Sequence, residues 1–86
     1  MGFSVYLRNG TKTVRIQDMK GSDTIGNLIK KLKEKIKCNK YILCLFDGNP
    51  LDPNETLDFY KIKRHSHIEY SDHYKGGNYF FKINKL

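Results

Sequence analysis

One segment of the chain has apolar residues at helical spacing, whereas apolar and polar residues alternate in the segments around it. Apolar residues recur at helical spacing over a single segment, namely Ile25, Leu28, Ile29, Leu32 and Ile36. That spacing places them on one face of an amphipathic helix. Ser22 or Thr24 can cap its start, and Asp23 adds negative charge near the positive end of the helix dipole. One helix with one apolar face needs a sheet to cover it, so we expect an α+β domain.

Before the helix, the chain has the two-residue period of a strand. Phe3, Val5 and Leu7 share one face, while Ser4, Tyr6 and Arg8 point the other way. Asn9-Gly10 is a strong hairpin signal, because both residue types tolerate positive φ. Val14 and Ile16 continue the returning strand, which Met19 closes.

After the helix, residues 41–46 predict a third strand that ends in a turn at Asp47-Gly48. A second turn at residues 52–54 leads to residues 56–62, where we expect a single helical turn. Residues 67–71 alternate and predict the last strand. The predicted core consists of Phe3, Val5, Leu7, Val14, Ile16, Ile25, Leu28, Ile29, Leu32, Ile42, Cys44, Leu51, Leu57, Tyr60, Ile62, Ile68 and Tyr70.

Length and composition narrow the class of protein. With 86 residues the chain suits one domain, and it contains no apolar run of the roughly 20 residues that span a bilayer. We find no secretion signal and expect no membrane association, so we predict a soluble protein of the cytoplasm, the nucleus or both. Cys38 and Cys44 are interpreted as reduced thiols. The net charge of +7 attracts acidic proteins and nucleic acid alike, and because lysine-rich usage can reflect coding bias we do not count it as evidence of function.

Several motifs, in order, resemble the ubiquitin family. Ser22-Asp23-Thr24-Ile25 is similar to the family's helix opening, and Leu45-Phe46-Asp47-Gly48 to its third strand and glycine turn. Residues 51–62 resemble the family's segment after the glycine turn, and residues 66–77 resemble its last strand and tail, including a double glycine. The resemblance covers residues 3–77 and implies a ubiquitin-like β-grasp, a mixed sheet of four to five strands on one helix. We therefore divide the chain into a domain, residues 1–77, and an apolar extension, residues 78–86.

The resemblance also implies a partner-binding patch on the outer face of the sheet. Leu45 corresponds to its central aliphatic residue, and Gly48 lies beside it. Glu69 and Ser71 stand where ubiquitin has His and Val, and His73 follows in the tail. Because this patch is smaller and more polar, we expect ordinary ubiquitin receptors to bind it poorly.

The tail allows two interpretations. Gly76-Gly77 resembles the ending through which the family is conjugated to lysines, but Asn78–Leu86 follows it. A processing protease would have to remove those residues before activating and conjugating enzymes could act. In the other interpretation, which we favour, the apolar extension belongs to the fold.

The predicted helix carries a basic face, formed by Lys30, Lys31, Lys33, Lys35 and Lys37. We interpret it mainly as a solvated face; the alternative is a patch for phosphate or acidic side chains. A nucleic-acid site usually adds arginine and aromatic residues, and this helix has neither.

The remaining chemistry favours binding over catalysis. His65 and His67 are predicted to project from one strand, but two histidines make a weak metal site. We therefore expect no metal, cofactor, small-molecule substrate or enzyme activity. The leading hypothesis is a non-catalytic protein that binds other macromolecules through its sheet face, its basic helix face or its C-terminal tail. Such a protein can act as a subunit of a larger assembly. The alternatives are a protein modifier and a protein that contacts RNA or ribonucleoprotein.

Overall fold

The computed structural model describes residues 2–72, in which a five-stranded mixed sheet is covered on one face by one α-helix. The elements are β1 (Phe3–Asn9), β2 (Lys12–Met19), α1 (Ile25–Ile36), β3 (Leu43–Phe46), β4 (Asn49–Pro50), a 3-10 turn (Asp58–Tyr60) and β5 (His67–Ser71). The strand order is β2-β1-β5-β3-β4. β1 and β5 are parallel, and the other neighbours are antiparallel. The predicted α+β architecture is confirmed.

Of the two predicted hairpin turns, one lies at the predicted residues and the other lies one residue later. Asn9 still pairs with Lys12, so the first loop is Gly10-Thr11, one residue later than predicted. Gly10 alone supplies the positive φ, at 64°. The second loop lies where it was predicted: Asp47 and Gly48 both have positive φ, and they join β3 to β4.

A β-bulge in β2 explains a residue missing from the predicted core. The pairing passes from Val5↔Ile16 to Phe3↔Met19, so β2 has one extra residue at this point. Asp18, with φ of 61°, lies within the bulge. The extra residue shifts the alternation and turns Met19 inward, where it is completely buried.

The start of α1 is held by its cap and by a distant loop. Thr24, one of the two predicted caps, accepts a hydrogen bond from the Asn27 amide through Oγ1. The preceding amides, of Ile25 and Gly26, donate to the carbonyl oxygens of Glu55 and Pro53 at 2.8 and 2.9 Å. The amides of the first three helical residues, which have no partner within the helix, are therefore bonded elsewhere in the protein.

Most of the predicted core is buried between the sheet and α1. Phe3, Val14, Ile29 and Tyr60 are partly buried and pack against its edge. Leu57 and Ile62 flank the 3-10 turn and are buried, as expected. Within the described residues, no helix is both long and apolar enough to cross a membrane.

Removal of the Thr24 cap should destabilise the fold. We expect Thr24→Ala to lower the free energy of unfolding by about 1 kcal/mol, because the Asn27 amide loses its acceptor. Thr24→Ser keeps the hydroxyl and serves as the matched control. Urea unfolding followed by circular dichroism measures both. An equal loss of unfolding free energy in the two variants would show that the methyl group of Thr24, and not its hydrogen bond, stabilises the fold.

The two thiols should react very differently. Burial raises the pKa of the Cys44 thiol to about 12, so at pH 8 roughly one molecule in ten thousand carries the reactive thiolate. Cys38 is half-buried. We expect a disulfide reagent to modify one thiol rapidly in the native protein and two in denaturant. Fast modification of native Cys38→Ser protein would contradict this.

Candidate protein-binding surfaces

The side of α1 that faces β2 carries a basic groove, here called the β2–α1 groove. The apolar stripe of α1 lies on the sheet, with Ile25, Leu28 and Leu32 completely buried. β2 is at the edge of the described sheet, so the carbonyl oxygens along its outer side are not used by a sixth strand. These oxygens face the flank of the helix.

Two helix lysines bridge this groove. Lys31 Nζ donates to the carbonyl oxygens of Gln17 and Asp18, at 3.2 and 3.1 Å. Lys35 Nζ donates to the carbonyl oxygen of Arg15, at 2.7 Å. The two lysines are four residues apart, so they lie one helical turn apart on the same flank. Both ammonium groups are thus held directly over the edge strand.

The groove is shallow and mainly positive. It encloses about 340 Å³ and is lined by Arg15, Ile16, Gln17, Lys31, Glu34 and Lys35. Its charged side chains are those of Lys31, Lys35 and Glu34, whereas Arg15 contributes its carbonyl oxygen and directs its guanidinium to Ser4. A second concavity, of about 410 Å³, continues toward the start of the helix, where Asp18 and Asp23 balance Lys20 and Lys30. The positive potential is therefore concentrated at the Lys31–Lys35 end.

The prediction of one solvated lysine face needs correction. Lys31 and Lys33 are half-buried, whereas Lys30, Lys35 and Lys37 are exposed. Lys37 ends the helix in the left-handed conformation, with φ of 54°. The five lysines therefore occupy different environments, and two of them belong to the groove. Sequence spacing showed that Lys31 and Lys35 share a flank, but not which strand lies beside it.

The structure brings part of the predicted outer-face patch together. Leu45 pairs with Glu69, and Leu43 pairs with Ser71, across β3 and β5. Leu45 is half-buried, and Leu43 is 1% exposed although it is outside the main core cluster. Little aliphatic surface is therefore exposed there. Gly48 lies in the exposed β3–β4 turn, and His73, Gly76 and Gly77 lie outside the described residues.

The two described histidines were predicted on one strand, and this is wrong for His65. β5 begins at His67, and His65 lies in the preceding turn with φ of 65°. Both rings nevertheless approach Tyr6, at centroid distances of 6.0 Å for His65 and 5.2 Å for His67. Among residues 2–72, no group of three or more histidine, cysteine or acidic side chains is arranged to hold a metal.

Comparison with known proteins bears on the fold. No protein-family model matches the chain, and no curated protein matches its sequence significantly. In contrast, 314 solved chains match its structure, so the fold is widespread and does not select a function. One of them comes from a structure described as molecular mimicry of SUMO that promotes DNA repair. It superposes with a TM-score of 0.72 at 20% identity, over 81% of this chain and 90% of that one. The mixed sheet, the covering helix and this likeness together show that the chain has the ubiquitin-like β-grasp fold.

Proposed function

We propose that this chain is a non-catalytic, ubiquitin-like protein that binds an acidic segment of a partner protein in the β2–α1 groove. The observation that carries the proposal is the pair of lysines held over an edge strand. The same fold occurs in a chain of the structure described as molecular mimicry of SUMO. That description supports a role in protein recognition here.

The hydrogen-bonding capacity of the lysines favours an acidic ligand. Each ammonium group has three donors. Lys31 uses two of them on β2 carbonyl oxygens, and Lys35 uses one. The remaining donors of the two ammonium groups can bind carboxylates of a segment lying in the groove.

The outer-face patch around Leu45 is a weaker candidate for the binding surface. Leu43 is buried, Leu45 is half-buried, and Glu69 stands directly opposite Leu45. Binding through aliphatic contacts needs apolar surface that can be removed from water. We therefore assign the protein partner to the groove, and we place the protein in the cytoplasm or nucleus, where free thiols such as Cys38 persist.

Charge reversal in the groove tests the proposal. We expect Lys35→Glu to weaken binding of a labelled peptide rich in glutamate and valine about tenfold, or about 1.4 kcal/mol. Lys37→Glu makes the same change in net charge outside the groove, and should change the affinity less than about twofold. Fluorescence anisotropy with the full chain measures both. Equal loss in both variants would show that net charge, not the groove, attracts the peptide.

The double glycine favours a second candidate, a modifier conjugated to lysines after cleavage behind Gly77. Asn78–Leu86 must then be removed by a protease before activating and conjugating enzymes can act on Gly77. The five large apolar residues of that segment lead us instead to propose that it is retained. This choice does not alter the assignment of the groove.

Intact mass separates the two candidates. For an N-terminally tagged chain recovered from its native cells, we expect a mass that includes Asn78–Leu86. Loss of these residues, or adducts of higher mass that disappear in Gly77→Ala, would establish the modifier instead. The Gly77→Ala chain is the matched control, because it differs by one methyl group at the cleavage position.

A further inference from the structure

The arginines of this chain are placed differently from its lysines. Arg8 and Arg15 lie on β1 and β2, and Arg64 directly precedes His65. All three are exposed. Arg8 and Arg15 belong to the sheet face opposite α1, where Tyr6 also lies, because these positions alternate with the buried Val5, Leu7 and Ile16. The outer face therefore combines guanidinium groups with aromatic rings.

Strand register aligns three of these side chains in one row. Tyr6 on β1 pairs with Arg15 on β2 and with His67 on β5. Side chains in such a row lie about 5 Å apart on a common face. The Tyr6 and His67 rings stack, with centroids 5.2 Å apart and an interplanar angle of 22°. The row could not be recognised in the sequence, because its residues lie on three separate strands.

The surrounding hydrogen bonds hold the row in place. The Tyr6 amide donates to the Ser66 carbonyl oxygen at 2.9 Å, and the His65 amide donates to the Ser4 carbonyl oxygen at 2.7 Å. These bonds fix the turn before β5 against β1. Arg15 Nε donates to Ser4 Oγ at 3.2 Å, which holds the guanidinium against β1 on the same sheet face as the rings. These bonds restrain both the rings and the guanidinium.

We propose that the Arg15–Tyr6–His67 row is a binding site for single-stranded nucleic acid. A base continues the stack on the Tyr6–His67 pair, and Arg15 and Arg8 contact the phosphates on either side. Aromatic rings accept any base, because every base has a π-face, and arginine combines charge with a planar group that stacks. We therefore expect little sequence preference.

The chemistry of this row favours nucleic acid over an acidic peptide. Carboxylates bind to ammonium and guanidinium groups and do not stack on aromatic rings. Bases do stack on aromatic rings, and this stacking contributes to the affinity for single strands. The β2–α1 groove has the opposite composition, since α1 has lysines and no arginine or aromatic residue. Glu69 pairs in register with Arg8, so the phosphate backbone is expected to run mainly on the Arg15 side.

The test measures binding of a labelled single-stranded 12-mer RNA of mixed sequence to the full chain by fluorescence anisotropy. We expect Tyr6→Ala to weaken binding roughly tenfold, since a stacked base contributes appreciably to affinity. Tyr6→Phe keeps the ring and should change affinity less than about twofold. Arg15→Gln should lower the slope of log affinity against log salt by about 0.7.

Inorganic polyphosphate, which has charge but no bases, is the matched ligand control. If Tyr6→Ala weakens the RNA and leaves polyphosphate unchanged, the stacking site is supported. If it weakens both equally, or neither, the proposal is overturned. Binding of a phosphoserine peptide at this row, with no binding of RNA, also overturns the proposal.

If Tyr6→Ala does not fold, an NMR titration of the unaltered chain with RNA tests the same proposal. In the unaltered chain, RNA should shift the amide resonances of Tyr6, Arg15 and His67 more than those of Lys31 and Lys35. The reverse pattern would place the RNA on the β2–α1 groove and overturn the proposal. The groove itself is tested by its own variants, so either site can fail without the other.

Discussion

The packing of one helix stripe against the sheet is the contact on which the rest of this structure depends. Ile25, Leu28 and Leu32 are completely buried there, and the described residues contain no second layer that could replace them. Loop carbonyl oxygens of Pro53 and Glu55 hold the start of the helix, so its path across the strands is set at that end. That path decides which helix flank overlies β2. The β2–α1 groove is thus a consequence of core packing.

Much of the fold could be predicted because local chemistry and pattern agree. The helix stripe, the Asp47-Gly48 turn and the alternation of β1 each follow from period or from tolerance of positive φ. The bulge could not be predicted, because it depends on how β1 and β2 pair rather than on either strand alone. Met19 was therefore missed from the core, although it was recognised as the end of the strand.

The candidate sites were less predictable than the fold, for a related reason. Sequence spacing places Lys31 and Lys35 on one flank, but their bonds to Arg15, Gln17 and Asp18 require the position of the edge strand. The outer row was harder still to predict, because its arginine and aromatic residues do not share one helix. They occur instead across strands. Two basic surfaces result, with ammonium groups on one and guanidinium groups beside rings on the other.

The parallel pairing of β1 with β5 has a consequence for biosynthesis. Leu7 pairs with Ile68, so the first and the last of the described strands lie side by side. A ribosome must release nearly the whole domain before the middle of the sheet can close. Until then β1 and β2 form an isolated hairpin, which is marginal in water, and the apolar side of α1 has no complete sheet to cover it. The nascent chain is therefore expected to stay open and accessible to chaperones until β5 emerges.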